Sequence, residues 1–111
     1  MYLPDATAGT TGAIPEDVAG GATAGTEPNP NNCEILWCCY AWPIDAGKSG
    51  NRCFFINQDG DVLQFGNKAG VYNGAVAAPG FDAVYQVAGD MASTVGLNGA
   101  SSDGESWTVL Q

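Results

Sequence analysis

Apolar positions along this chain gather in its middle third. Residues 35–42 (Ile-Leu-Trp-Cys-Cys-Tyr-Ala-Trp) are apolar at every position, the pattern of a strand covered on both faces. Pro43 has no N–H for a ladder and ends it. Asp45, Gly47, Ser49, Gly50 and Asn51 then give residues 44–51 a loop composition. Residues 52–58 predict a second strand. Asp59-Gly60 is a two-residue hairpin signal, and residues 61–65 return. That turn sets Gln58 against Asp61, Ile56 against Leu63 and Phe54 against Phe65. One face then carries Phe54, Ile56, Leu63 and Phe65, an apolar core or assembly face. The other carries Cys53, Phe55, Asn57, Val62 and Gln64. An isolated hairpin is marginal in water, and the chain offers no long amphipathic helix to cover the apolar side.

The flanks are weaker in pattern. Residues 1–32 are rich in Ala, Gly, Thr and Pro and bury little, so they predict an extended or loop-like arm. Within it, Ile14-Pro15-Glu16-Asp17-Val18 allows one helical turn, and residues 27–32 form a loop. Residues 66–80 are Gly- and Ala-rich and irregular. Phe81, Val84, Tyr85 and Ala88 recur at helical spacing, so residues 81–88 predict one or two helical turns. Residues 96–104 are a loop, and residues 105–110 end the chain as a strand. The expected fold is α+β or mostly β. It has a small antiparallel sheet of three to four strands, long Gly/Ala-rich loops and one short helix. Residues 1–32 make the arm and residues 33–111 the globular domain.

Charge narrows the classes of function. Three basic and twelve acidic side chains give a net charge of −9, and histidine is absent. A nucleic-acid binder needs a basic stripe, which is missing. So is the polybasic patch of a membrane-surface module, and no run reaches the length of a membrane span. Without histidine there is no Ser-His-Asp or Cys-His nucleophilic site. No pair of acids is spaced for glycoside hydrolysis, and no Gly-rich phosphate loop opens a helix. The chain reads as non-enzymatic.

Cys33, Cys38, Cys39 and Cys53 fall in the order C-x4-CC-x13-C. With no C-x2-C pair and no histidine, zinc is disfavoured. An even number in a small acidic domain favours two disulfides and an oxidising, extracytoplasmic location, with connectivity open. Four buried free thiols are the alternative. No cofactor is expected. Asn57, Asp59 and Asp61 bring oxygen ligands into one turn, a calcium candidate, although turn chemistry accounts for the same residues. Trp37, Tyr40, Trp42 and Trp107 are either packing residues or an aromatic platform for sugars. Met1-Tyr2-Leu3-Pro4 does not open a signal peptide.

The stretch Ala41-Trp42-Pro43, Lys48-Ser49-Gly50-Asn51-Arg52, Phe54-Phe55-Ile56-Asn57-Gln58 and Gly60-Asp61-Val62 resembles bacterial type IV pilin-like proteins. Within that group it is similar to the globular half of type II secretion pseudopilins. Ser102-Asp103-Gly104 with Trp107-Thr108-Val109 resembles the group's usual close. The resemblance covers roughly residues 40–65 and 102–109, and its motifs are structural. It implies an antiparallel sheet on which a long N-terminal helix packs, the helix lying outside these residues. It also implies a structural subunit of a filament or secretion apparatus. Its partners would be further copies or other pilin-like subunits, with no membrane contact by this segment itself. A secreted carbohydrate- or surface-binding module using exposed Trp and Tyr is the alternative.

Overall fold

The computed structural model describes residues 1–5, 12–17, 19–21, 25 and 27–110. The fold is mostly β, one open antiparallel sheet with almost no helix. Its strands are Tyr2–Pro4 (β1), Ala13–Pro15 (β2), Cys38–Ala41 (β3), Cys53–Asn57 (β4), Val62–Phe65 (β5) and Thr108–Val109 (β6). They lie in the order β2-β1-β3-β4-β5-β6, every neighbour antiparallel. The four expected strands are all present, each shorter than its apolar run. Two more come from the arm, where β1 pairs with β2 and sets Tyr2 against Cys38.

The helical expectations are corrected. Ile14 and Pro15 lie in strand β2, not in a helical turn, and Val18 falls outside the described residues. Residues 81–88 turn without forming an α-helix. Ala83 and Tyr85 donate to carbonyls three residues back, but the Val84 N–H goes to the Tyr40 hydroxyl. Tyr85 also bridges to Val95. Tertiary partners take the backbone groups a helix would need. Among the described residues the one helical element is a 3-10 turn, Asn32–Glu34.

The hairpin register is corrected as well. Ile56 faces Val62, Phe55 faces Leu63, Phe54 faces Gln64 and Cys53 faces Phe65. The bend runs over Gln58, Asp59 and Gly60. Gly60 N–H donates to the Asn57 carbonyl, and the Asn57 side chain accepts from Asp59 N–H at 3.1 Å. Gly60 sits at φ 86°, as the left-handed residue closing this longer bend must. A two-residue turn would also need positive φ at Asp59, which does not have it. One extra residue in the bend exchanges the faces of β5 relative to β4. Phe54, Ile56, Leu63 and Phe65 therefore do not share a face. Leu63 and Phe65 join Phe55 and Cys53 on one side, while Phe54 and Ile56 join Val62 and Gln64 on the other.

The first side is the core. Cys38, Tyr40, Cys53, Phe55 and Leu63 are buried against Tyr72, Ala83, Val84, Tyr85, Met91 and Trp107. The irregular segment 66–107 thus roofs this face with the chain's own residues. Phenolic and amide side chains hold the roof. Tyr40 and Tyr2 hydroxyls donate to the Phe81 and Pro79 carbonyls, each at 2.9 Å. The Asn67 amide brackets both backbone groups of Tyr72. Gly96 passes so close to Ser101 that a Cβ there would collide with its amide nitrogen, so only glycine fits.

Phe55 is 1% exposed and Phe54 is half-buried on the far side. Phe55→Ala is expected to cost about 3–5 kcal/mol, and Phe54→Ala about 1–2 kcal/mol. Urea denaturation of the two variants measures the order, which the two-residue turn would reverse.

Candidate functional site

The side of the sheet turned away from the loops is the candidate site. Alternation along the strands places Cys39 and Ala41 of β3, Phe54 and Ile56 of β4, and Val62 and Gln64 of β5 on it. Leu3 and Ile14 face one another across β1 and β2. They point to the same side, because Tyr2 is the residue opposite core Cys38. Cys39, Ala41, Phe54, Ile56 and Val62 line one shallow apolar depression. Met1, Leu3, Ile14 and Pro15 line another. All six strands belong to this one sheet, so among the described residues no second sheet or α-helix crosses the face. Arg52 lies at its rim, donating to Gln64 at 3.1 Å, and Glu16 stands beside the β1–β2 depression. The strand positions between carry no charge. Such a surface is suited to burying apolar area against a complementary partner.

The most connected polar group lies on the covered side. Asp103 accepts from the Tyr72 hydroxyl at 2.6 Å, from Trp107 Nε1 at 2.9 Å and from Glu105 N–H at 3.0 Å. The Ser101 hydroxyl donates to Oδ1, the oxygen that also accepts from Glu105 N–H, while Tyr72 and Trp107 share Oδ2. Burial raises the Tyr72 phenol, and the Asp103 carboxylate it bonds raises it further. Four donors converge on this one carboxylate, which makes it a brace. It ties β6 and the 66–107 roof to one carboxylate. The sequence pattern placed Asp103 only in a turn. The partners that define its role are 4 and 31 residues away in the chain.

The other candidates separate. Asn57 is buried, its amide nitrogen donating to Tyr85 and its oxygen accepting from Asp59 N–H in the bend, while Asp59 and Asp61 are exposed. Among the described residues no three His, Cys, Asp or Glu side chains are grouped to hold a metal. Trp107 is 0% exposed and Tyr40 is buried. Trp37 and Trp42 lie just outside β3, both half-buried, and Trp42 packs against the core. The Trp42 indole donates to Gly74 at 2.8 Å. Tyr40 and Trp107 are in edge-on ring contact within the core.

The expected disulfides are not present, and all four cysteines are free. Cys38 lies opposite Asn57 and Cys53 opposite Phe65, so each of the two buried thiols faces a side chain other than cysteine. Cys33 and Cys39 are half-buried. Burial pushes the Cys38 thiol up to about 12, a hydrogen bond with Tyr85 drawing it partly back. Burial, with Asp103 nearby, pushes Cys53 up to about 11. No family model, curated protein or solved structure matches the chain.

Asp103→Ala leaves the Tyr72 hydroxyl and Trp107 indole without an acceptor, and is expected to cost about 3–5 kcal/mol in urea denaturation. Stability should also fall in alkali. The folded thiols hold their protons above the ordinary value of 9.0, and buried Tyr40 and Tyr85 are raised by the same burial. Their contribution is complete below the unfolded thiol value and is lost as pH climbs through the folded ones. The urea midpoint should stay level from neutral pH to about 9, then decline toward about 12. A level midpoint throughout would contradict the burial of these groups.

Proposed function

We propose that this chain is the globular part of a non-catalytic, pilin- or pseudopilin-like structural subunit whose open sheet face seats an apolar helix. The observation that carries the proposal is that face. Cys39, Ala41, Phe54, Ile56 and Val62 form an uncharged apolar surface on one side of strands β3–β5. Of the residues of the resemblance, Phe54 through Gln58 and Gly60-Asp61-Val62 contribute to β4, β5 and their bend, and Trp42-Pro43 follow β3. A helix lying across them would cover the side of the sheet opposite the loop layer.

The support differs from what the hydrophobic pattern alone suggests. The side carrying Leu63 is already covered, and the side carrying Phe54 and Ile56 is the one that needs a partner. In this reading the protein works outside the cytoplasm, beside further copies or related subunits, and performs no reaction.

A synthetic Leu/Val-rich amphipathic helix titrated into the isotope-labelled chain tests the reading. Amide shift changes are expected to group on Cys39, Ala41, Phe54, Ile56 and Val62. Ile56→Asp, checked for fold by its amide spectrum, is expected to weaken binding about tenfold or more. No shifts, or a response to oligosaccharides centred on Trp42 instead, would contradict it.

A further inference from the structure

We propose that Asn98 is a site of spontaneous deamidation, the one Asn-Gly step the fold leaves open to it, and that its conversion loosens the turn that holds Trp107. The inference is independent of the assembly reading and uses none of its surfaces. Deamidation is fastest where glycine follows asparagine, because no side chain hinders the attacking backbone nitrogen. That nitrogen must also be free to give up its proton. Asparagine precedes glycine twice, at Asn73-Gly74 and Asn98-Gly99, and the related Asp-Gly step also occurs twice, at Asp59-Gly60 and Asp103-Gly104. In three of the four the glycine N–H is already engaged. Gly60 donates to the Asn57 carbonyl at 3.0 Å, Gly74 to the Pro43 carbonyl at 2.9 Å and Gly104 to the Ser101 carbonyl at 3.0 Å. The Gly99 N–H donates to no group among the described residues. The two asparagine side chains divide in the same way. Asn73 Oδ1 accepts from Ala46 N–H at 2.9 Å, whereas the exposed Asn98 amide makes no hydrogen bond among the described residues. A Cβ placed on Gly99 would meet nothing within 4 Å, so water has open access to the step.

Residues 97–100 form a turn in which Ala100 N–H donates to the Leu97 carbonyl at 3.2 Å, with φ of 56° at Asn98 and 94° at Gly99. Positive φ at both central residues defines the turn that Asn-Gly favours. There the Gly99 nitrogen loses its proton to solvent and attacks Asn98 Cγ. The N–Cγ bond forms, the Cγ–Nδ2 bond breaks, and Nδ2 takes up a proton and leaves as ammonia. Water then opens the cyclic imide. Breaking the bond from nitrogen to Cγ leaves aspartate in an ordinary backbone. Breaking the bond from nitrogen to the backbone carbonyl leaves isoaspartate, whose main chain runs through Cβ and Cγ and is one carbon longer. The turn has no slack for that carbon. Asn98 N–H donates to the Trp107 carbonyl at 3.0 Å, and on either side Gly96 N–H and Ser102 N–H donate to the Val84 and Tyr85 carbonyls. Gly96 is already pressed against Ser101. Lengthening the chain between these anchors displaces them, and the hold on Trp107 weakens.

Incubation of the full, folded chain in mildly alkaline buffer, followed by mass spectrometry of its peptides, tests this. The peptide holding residues 97–100 should gain one dalton about tenfold or more faster than the peptide holding Asn73, where hydrogen bonds must break first. In denaturant the two rates should converge. Asn98→Gly suits the positive φ of the turn, so it should keep the parent's amide spectrum and lose the gain. The isoaspartyl chain, separated by chromatography, should unfold at a lower urea concentration than the unreacted chain. Asn73 reacting as fast as Asn98 in the folded chain overturns the assignment. So does a folded chain in which neither residue reacts while the denatured chain reacts at both. An isoaspartyl chain as stable as its parent overturns the loosening of the turn.

Discussion

The bend after β4 decides what every other part of the molecule can do. Asn57 uses its side-chain oxygen to hold Asp59 N–H and its carbonyl to hold Gly60 N–H. This admits one more residue to the turn than the shortest Asp-Gly hairpin. Because side chains alternate with a period of two, that residue determines which half of β5 joins Phe55. Leu63 and Phe65 go under the loops, and Phe54, Ile56 and Val62 are left on the opposite side. Asn57 is held in turn by Tyr85, whose ring packs edge-on against Phe55. The bend and the core therefore fix each other.

The second constraint is polar. A roof made of irregular chain has no ladder to hold it, so its backbone and side chains need individual partners. Tyr2, Tyr40, Asn67 and Asp103 supply them, and among the described residues no buried side-chain nitrogen or oxygen lacks a partner. Rings continue the same job. Tyr40 contacts Phe55 and Trp107, and Phe65 contacts Trp107 and Tyr72. An all-loop layer thereby covers a sheet face that a helix covers in many small folds. The face that carries Phe54, Ile56 and Val62 has no such layer of strands or α-helix among the described residues.

The strands were legible in the sequence because their apolar runs are continuous and bounded by Pro43 and by loop residues. The register was not, because Asp59-Gly60 suits both bend lengths and both faces of β4 are apolar enough to pass for core. β1 and β2 were missed because each is three residues long and ends in proline, leaving Tyr2, Leu3 and Ile14 as the whole pattern. The spacing of Phe81, Val84, Tyr85 and Ala88 picked out two buried residues, Val84 and Tyr85, with Phe81 half-buried and Ala88 exposed. It misassigned their backbone, whose hydrogen bonds go to Tyr40 and to residues 94–102. The Asp103 brace has no signal along the chain, since Tyr72 and Trp107 meet it only in the folded state. Pairing the cysteines assumed that an even number means bridges, whereas the sheet sets other side chains opposite Cys38 and Cys53.

Cross-strand nuclear Overhauser contacts across β4 and β5 test the central claim most directly. The account predicts close contacts between Phe55 and Leu63 and between Ile56 and Val62. Contacts between Ile56 and Leu63 and between Phe54 and Phe65 would contradict it, returning the apolar side chains to one face and removing the open surface assigned to a partner.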